Sequence, residues 1–164
     1  SYMNRQSVLN GSENNGAWYF YPENSMTRAE FAVMISNYLK LSSEESSLDF
    51  KDADQIPSWA KTHVAAMANA QIISGKKADD GVYFAPNDSI TRAEVIAILA
   101  RTLPDKLRYV TPDYTDTADI PDWALHAFGV LKNSGLISGY EDGSIRPQKS
   151  VTRAEAATLL YNIM

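Results

Sequence analysis

The chain has no cysteine in 164 residues and only two histidines, His63 and His126. The first absence excludes disulfides, thiolate metal sites and thiol catalysis together. The histidines fall at different places in the repeating pattern set out below, so the sequence offers no repeated general base. No apolar run approaches the length needed to span a bilayer, and the opening residues do not resemble a signal peptide. Positive charge is also short: 15 Lys and Arg against 20 Asp and Glu leave a formal net charge of −5, which argues against a nucleic-acid-binding surface. Any anion the protein binds must therefore be met by local arginines, not by its overall field. Gly-x-Ser-x-Gly and metal-ligand spacings are missing as well, and no cofactor or metal is expected. The start at Ser1-Tyr2-Met3 points to a piece of a longer protein.

Against these absences stands one tetrapeptide written three times: Thr27-Arg28-Ala29-Glu30, Thr91-Arg92-Ala93-Glu94 and Thr152-Arg153-Ala154-Glu155. Thr-x-x-Glu before an apolar run is a capping box. The hydroxyl accepts from the third helical amide, and the carboxylate reaches back to the N-cap amide. Thr27, Glu30, Thr91, Glu94, Thr152 and Glu155 are therefore read as caps. Met26, Ile90 and Val151 precede the caps and can staple onto Phe31, Val95 and Ala156. The arginine is the odd choice, because it stands where the macrodipole is positive and a cation is mildly unfavourable. It asks for an anionic partner. A helix N-terminus with free amides, beside an arginine fork, would make a site for a carboxylate or phosphate. The same arginines would equally suit bridges to carboxylates of a neighbouring repeat.

Around the tetrapeptide the chain repeats itself. Phe50-Lys51-Asp52 leads to Ile56-Pro57-Ser58-Trp59-Ala60, and Tyr114-Thr115-Asp116 leads to Ile120-Pro121-Asp122-Trp123-Ala124. A helical pattern follows each, with the proline placed in its first turn. Gly135 provides a left-handed stop for the later helix, whereas Gln71 in the matching place must stop the earlier one less favourably. Tight turns at Asp80-Gly81 and Asp142-Gly143 come next. Then Ala85-Pro86 and Arg146-Pro147 are expected to keep the chain extended, since the residue before proline avoids the helical region. A truncated first repeat fits the same template from Val8-Leu9-Asn10-Gly11 through the turn Asn15-Gly16 to Phe20-Tyr21-Pro22. The expected repeats are 1–40, 48–103 and 112–164, together one compact all-α domain of helical hairpins with intervening loops.

This order of motifs resembles the S-layer homology (SLH) domain, and the resemblance covers nearly the whole chain. It implies a bacterial, secreted, non-catalytic cell-wall anchoring module at the cell surface, built as a pseudo-threefold helical spindle. Grooves between repeats would bind an anionic secondary cell-wall polysaccharide, commonly one bearing a pyruvate ketal. Carried over by residue, Arg28 would pair with the ketal carboxylate in a groove completed by Asp52, Trp59, Ser74 and Gly75. Arg92 would do so with Asp116, Trp123, Ser138, Gly139 and Tyr140. Arg153 would need the front of a complete first repeat, which the sequence lacks, so its groove stays open and self-association through that repeat becomes an option. Lys76-Lys77 against Tyr140-Glu141 makes the two complete grooves unequal. Trp59 and Trp123 fit core packing as well as sugar stacking, and Asp52 and Asp116 fit turn caps as well as ligand contacts. The rival function is a helical-repeat scaffold for a protein partner or for surface-layer self-assembly.

Overall fold

The computed structural model describes residues 12–14, 17–42, 48–104 and 107–163. Among the described residues five α-helices dominate: α1 (Arg28–Tyr38), α2 (Ser58–Asn69), α3 (Arg92–Ala100), α4 (Asp122–Asn133) and α5 (Arg153–Asn162). Two small antiparallel hairpins accompany them: β1 (Ser12–Asn14) with β2 (Ala17–Tyr19), and β3 (Lys76–Ala78) with β4 (Gly81–Tyr83). The sequence reading treated the Asp80-Gly81 segment as loop and turn alone. In the fold, Ala78 pairs with Gly81 across a two-residue connection, and two further residues on each side continue the ladder. Val8-Leu9-Asn10-Gly11 and Asn15-Gly16 lie outside the described residues.

The chain forms two compact units, one ending at Ser89 and one beginning at Ile90. They are out of phase with the sequence repeats. In the first unit α1, which closes the truncated repeat, packs on α2, which opens the next. Phe31, Met34 and Ile35 on α1 and Ala60, Val64 and Met67 on α2 are buried, as is Phe84 from the loop that follows. In the second unit α3 packs on α4, with Val95, Ile96, Leu99, Ala124, Phe128 and Leu131 buried. Each of the larger side chains among them contributes roughly 1.5–3 kcal/mol when fully withdrawn from water. Gly129 lies within α4 where Tyr109 and Val110 pack against it: a Cβ there would clash with the Tyr109 ring and the Val110 carbonyl oxygen.

All three capping boxes form as read. Thr27, Thr91 and Thr152 amides donate to their glutamates at 2.8, 3.0 and 3.0 Å. The return bonds to the threonine hydroxyls are 3.2, 3.3 and 3.2 Å. Met26, Phe31, Ile90, Val95, Val151 and Ala156 are all buried, as stapling residues should be. Pro57 and Pro121 stand one position earlier than expected, at the N-caps of α2 and α4. Both helix stops are left-handed, at Gly135 (φ 68°) and at Gln71 (φ 57°).

The step before each proline corrects the sequence reading. Tyr21, Ala85 and Arg146 do not run extended; they hold φ of 48°, 55° and 50°. An aspartate from the front of the repeat accounts for two of the three. Asp52 accepts from the amides of Phe84 (2.8 Å) and Ala85 (2.7 Å). Asp116 accepts from Ile145 (2.8 Å) and Arg146 (2.7 Å). Two successive amides turned onto one carboxylate make an anion nest, and these bonds outweigh the local preference of the pre-proline residue.

Candidate functional site

The amides at the starts of α1 and α3 are not free, contrary to the sequence expectation. Arg28 N donates to Asp88 O (2.9 Å) and Ala29 N to Pro86 O (3.1 Å). Arg92 N donates to Lys149 O (2.9 Å) and Ala93 N to Pro147 O (2.8 Å). With the N-cap and third amides held by the capping boxes, the x-Pro loop consumes the donors an anion would have used. That leaves only the arginine side chains and the dipole at these two ends to attract an anion.

Those side chains are withdrawn from water. Arg28 is 6% exposed and Arg92 8% exposed. Arg28 Nε donates to Phe84 O at 2.7 Å, and its guanidinium carbon lies 5.4 Å from the Phe84 ring centroid. Because Asp52 binds the Phe84 amide, Arg28 and Asp52 meet at the two ends of one peptide residue. Arg92 is placed otherwise. Its Nη2 donates to Ser138 O at 3.2 Å, and its guanidinium lies 5.3 Å from the Tyr140 ring. Its Nε is buried with no partner among the described residues, and so is the Tyr114 hydroxyl. The sequence reading considered bridges from these arginines to carboxylates; the bonds seen run to backbone carbonyls 56 and 46 residues away.

The second unit therefore brings Arg92, Ser138, Gly139 and Tyr140 together, as expected from the sequence. Tyr140 gathers further cations: Arg146 lies 4.0 Å and Lys149 5.2 Å from its ring centroid. Its hydroxyl donates to Glu155 (3.1 Å), which also receives Lys149 at 2.6 Å. Burial works to raise the Glu155 pKa, but Lys149 and the Thr152 amide outweigh it and hold the carboxyl low. The Asp142 carboxyl is held well below the usual range, first by the Ser144 hydroxyl and then by Arg146. In the first unit Lys76 replaces Tyr140, and it pairs with Asp88 at 2.8 Å. The two sites thus differ in charge and in shape.

Gly75 and Gly139 have packing reasons to be glycine. A Cβ on Gly75 (φ 70°) would come within 2.8 Å of the Phe50 ring, and one on Gly139 within 2.9 Å of Ser144 O and 3.2 Å of the Tyr114 ring. Ser74 and Ser138 are exposed. Asp52 is 4% exposed, and both its oxygens accept from loop amides. Neither Asp52 nor Asp116 caps its own short helical turn through its side chain. Trp59 and Trp123 are not core residues: they are 53% and 60% exposed on α2 and α4. Arg153 is half-buried at the head of α5. Sequence reasoning missed Tyr114, Arg146 and Lys149. The signal for the first was present, since Tyr114 stands where the preceding repeat has Phe50.

A module of paired helices, carrying buried arginines at the starts of α1 and α3 and exposed tryptophans on α2 and α4, is thus defined by fold and site. The S-layer homology domain model matches residues 49–96 and 113–157, more than half of the chain. The chain belongs to that family. It is similar to a cellulosome-anchoring protein of Acetivibrio thermocellus, 34% identical over 86% of this chain and 32% of that protein. It is also similar to S-layer protein EA1 of Bacillus anthracis, 33% identical over 85% of this chain and 16% of the relative. An amylopullulanase of Thermoanaerobacterium thermosulfurigenes is 32% identical over 88% of this chain and 8% of its own length. The chain spans a minor part of each of these relatives. No helix among the described residues is long and apolar enough to cross a membrane.

Proposed function

We propose that the chain is a non-catalytic module that anchors its parent protein to the bacterial cell wall, by binding an acidic glycan through Arg28 and Arg92.

 The acidic group assigned to that glycan is the carboxylate of a pyruvate ketal, and the polymer is a secondary cell-wall polysaccharide. The observation that carries this reading is Arg92. It is a desolvated cation whose Nη2 holds a backbone carbonyl and whose Nε has no partner. A buried guanidinium is costly without a counter-charge, and its planar fork suits a carboxylate. Trp59 and Trp123 add exposed flat faces of the kind that sugar C–H groups stack on. Family membership and relatives named for cellulosome anchoring and for surface layers support attachment at the cell surface. Relatives named as enzymes are matched over 8%, 13% and 16% of their lengths, which suits an anchor shared by proteins of different activity.

In this reading Arg28 and Arg92 contact the acid, and Trp59 and Trp123 contact the sugar ring. Ser74, Gly75, Ser138, Gly139 and Tyr140 line the approach, while Asp52 and Asp116 position the x-Pro loops. Arg153 serves a third site only where a complete repeat faces it. Calorimetric titration with purified wall polysaccharide, before and after mild-acid removal of its ketal, tests the assignment. Loss of heat with the ketal supports it. Equal binding by both forms contradicts the carboxylate as the recognised group.

A further inference from the structure

The two units differ at one buried point. In the first, Arg28 Nε is taken by Phe84 O, and Phe50 occupies the aromatic position, with its ring 5.6 Å from that of Phe84. In the second, the residue matching Phe50 is Tyr114, and both its hydroxyl and Arg92 Nε are buried without partners among the described residues. The two groups flank the same strand of chain. Arg92 Nη2 is bonded to Ser138 O, and the Tyr114 ring lies 3.2 Å from where a Cβ of Gly139 would be. Leaving two donors desolvated and unpaired is unfavourable, and a shared acceptor recovers that loss.

We propose that the Tyr114 hydroxyl is a second donor to the carboxylate that Arg92 takes, making the Arg92 site the tighter of the two for an acidic ligand. This rests on the carboxylate reading given above and adds a specificity-determining residue to it. Burial raises the Tyr114 pKa against the opposing pull of Arg92, so the phenol stays protonated and able to donate near neutral pH. Both donor atoms are closed to water in this form. The half-exposed Tyr140 ring lies 5.3 Å from the guanidinium and would have to shift to admit the ligand oxygen. Phe50 can supply no such bond, so the Arg28 site has one donor fewer.

The test is an NMR titration of the whole chain with sodium pyruvate, following the side-chain Nε–Hε signals of Arg28 and Arg92. The expected result is tighter binding at Arg92 than at Arg28, weakened about tenfold at Arg92 alone by Tyr114→Phe, the effect of one hydrogen bond to a charged group. Unchanged affinity at Arg92 in that variant overturns the role of Tyr114 and leaves the carboxylate reading standing. No pyruvate response at either arginine of the unaltered chain overturns both. Should Tyr114→Phe fail to fold, the ring Cζ shift of Tyr114 in the unaltered chain decides. It moves with pyruvate if the hydroxyl donates, and a static shift while Arg92 responds refutes the bond.

Discussion

Asp52 holds Ala85 in a left-handed turn from 33 residues away, its Oδ2 accepting from the Ala85 amide at 2.7 Å. Its other oxygen takes the Phe84 amide, and the side chain is 4% exposed, so solvent screens neither bond. Hydrogen bonds to a buried charge contribute about 1.5–3 kcal/mol each. Asp52→Ala is expected to lower stability by about 2–4 kcal/mol in urea unfolding, allowing for partial relaxation of the loop. Asp52→Asn, which keeps one acceptor oxygen, should fall between. An asparagine variant as stable as the parent would show that the second carboxylate oxygen contributes nothing.

The two helix stops permit a reciprocal test. Gln71 and Gly135 are both left-handed and exposed, and nothing lies within 4 Å of a Cβ added at Gly135. A side chain there therefore meets conformational strain and no clash. Gln71→Gly is expected to stabilise by about 0.5 kcal/mol, the relief of left-handed strain less the extra freedom of the unfolded chain. Gly135→Gln should destabilise by a similar or larger amount. The same sign for both substitutions in denaturant melts would contradict this account.

The tryptophans separate binding from stability. At 53% and 60% exposure, Trp59→Ala and Trp123→Ala should each change stability by less than about 1 kcal/mol. Binding to wall glycan should nevertheless weaken several-fold. A large loss of stability with binding intact would return these residues to a packing role.

His63 gives a pH dependence of defined sign. Its Nδ1 is 3.1 Å from the hydroxyl of Ser36, which is fully buried, and burial lowers the imidazole pKa from its ordinary 6.5. As pH falls the unfolded chain therefore takes up the proton first. The stabilisation from the neutral ring is complete above 6.5 and is lost below it, through the depressed folded value. His63→Gln should flatten the fall in thermal midpoint between about pH 7.5 and 5.5. An identical slope in both proteins would remove His63 from the acid response.

What could be read from the sequence was local. The capping boxes follow from residues three apart, and the helix stops from single positions. The pre-proline turns at Ala85 and Arg146 could not be read that way, because an aspartate some thirty residues earlier decides them. The same loop closes over the first amides of α1 and α3, which is why the expected free helix ends are filled. Trp59 and Trp123 were undecided because a Trp-Ala pair on an amphipathic helix fits either face, and only the packed helix shows them exposed. Arg92 could be picked out by its place at the start of a helix. Its buried, half-satisfied state could not.

The central claim is attachment to a wall polysaccharide, and co-sedimentation with purified sacculi tests it most directly, before and after extraction of the non-peptidoglycan polysaccharide. The account predicts binding to intact sacculi that is lost on extraction. Equal binding to the extracted sacculi would contradict it and point to peptidoglycan itself.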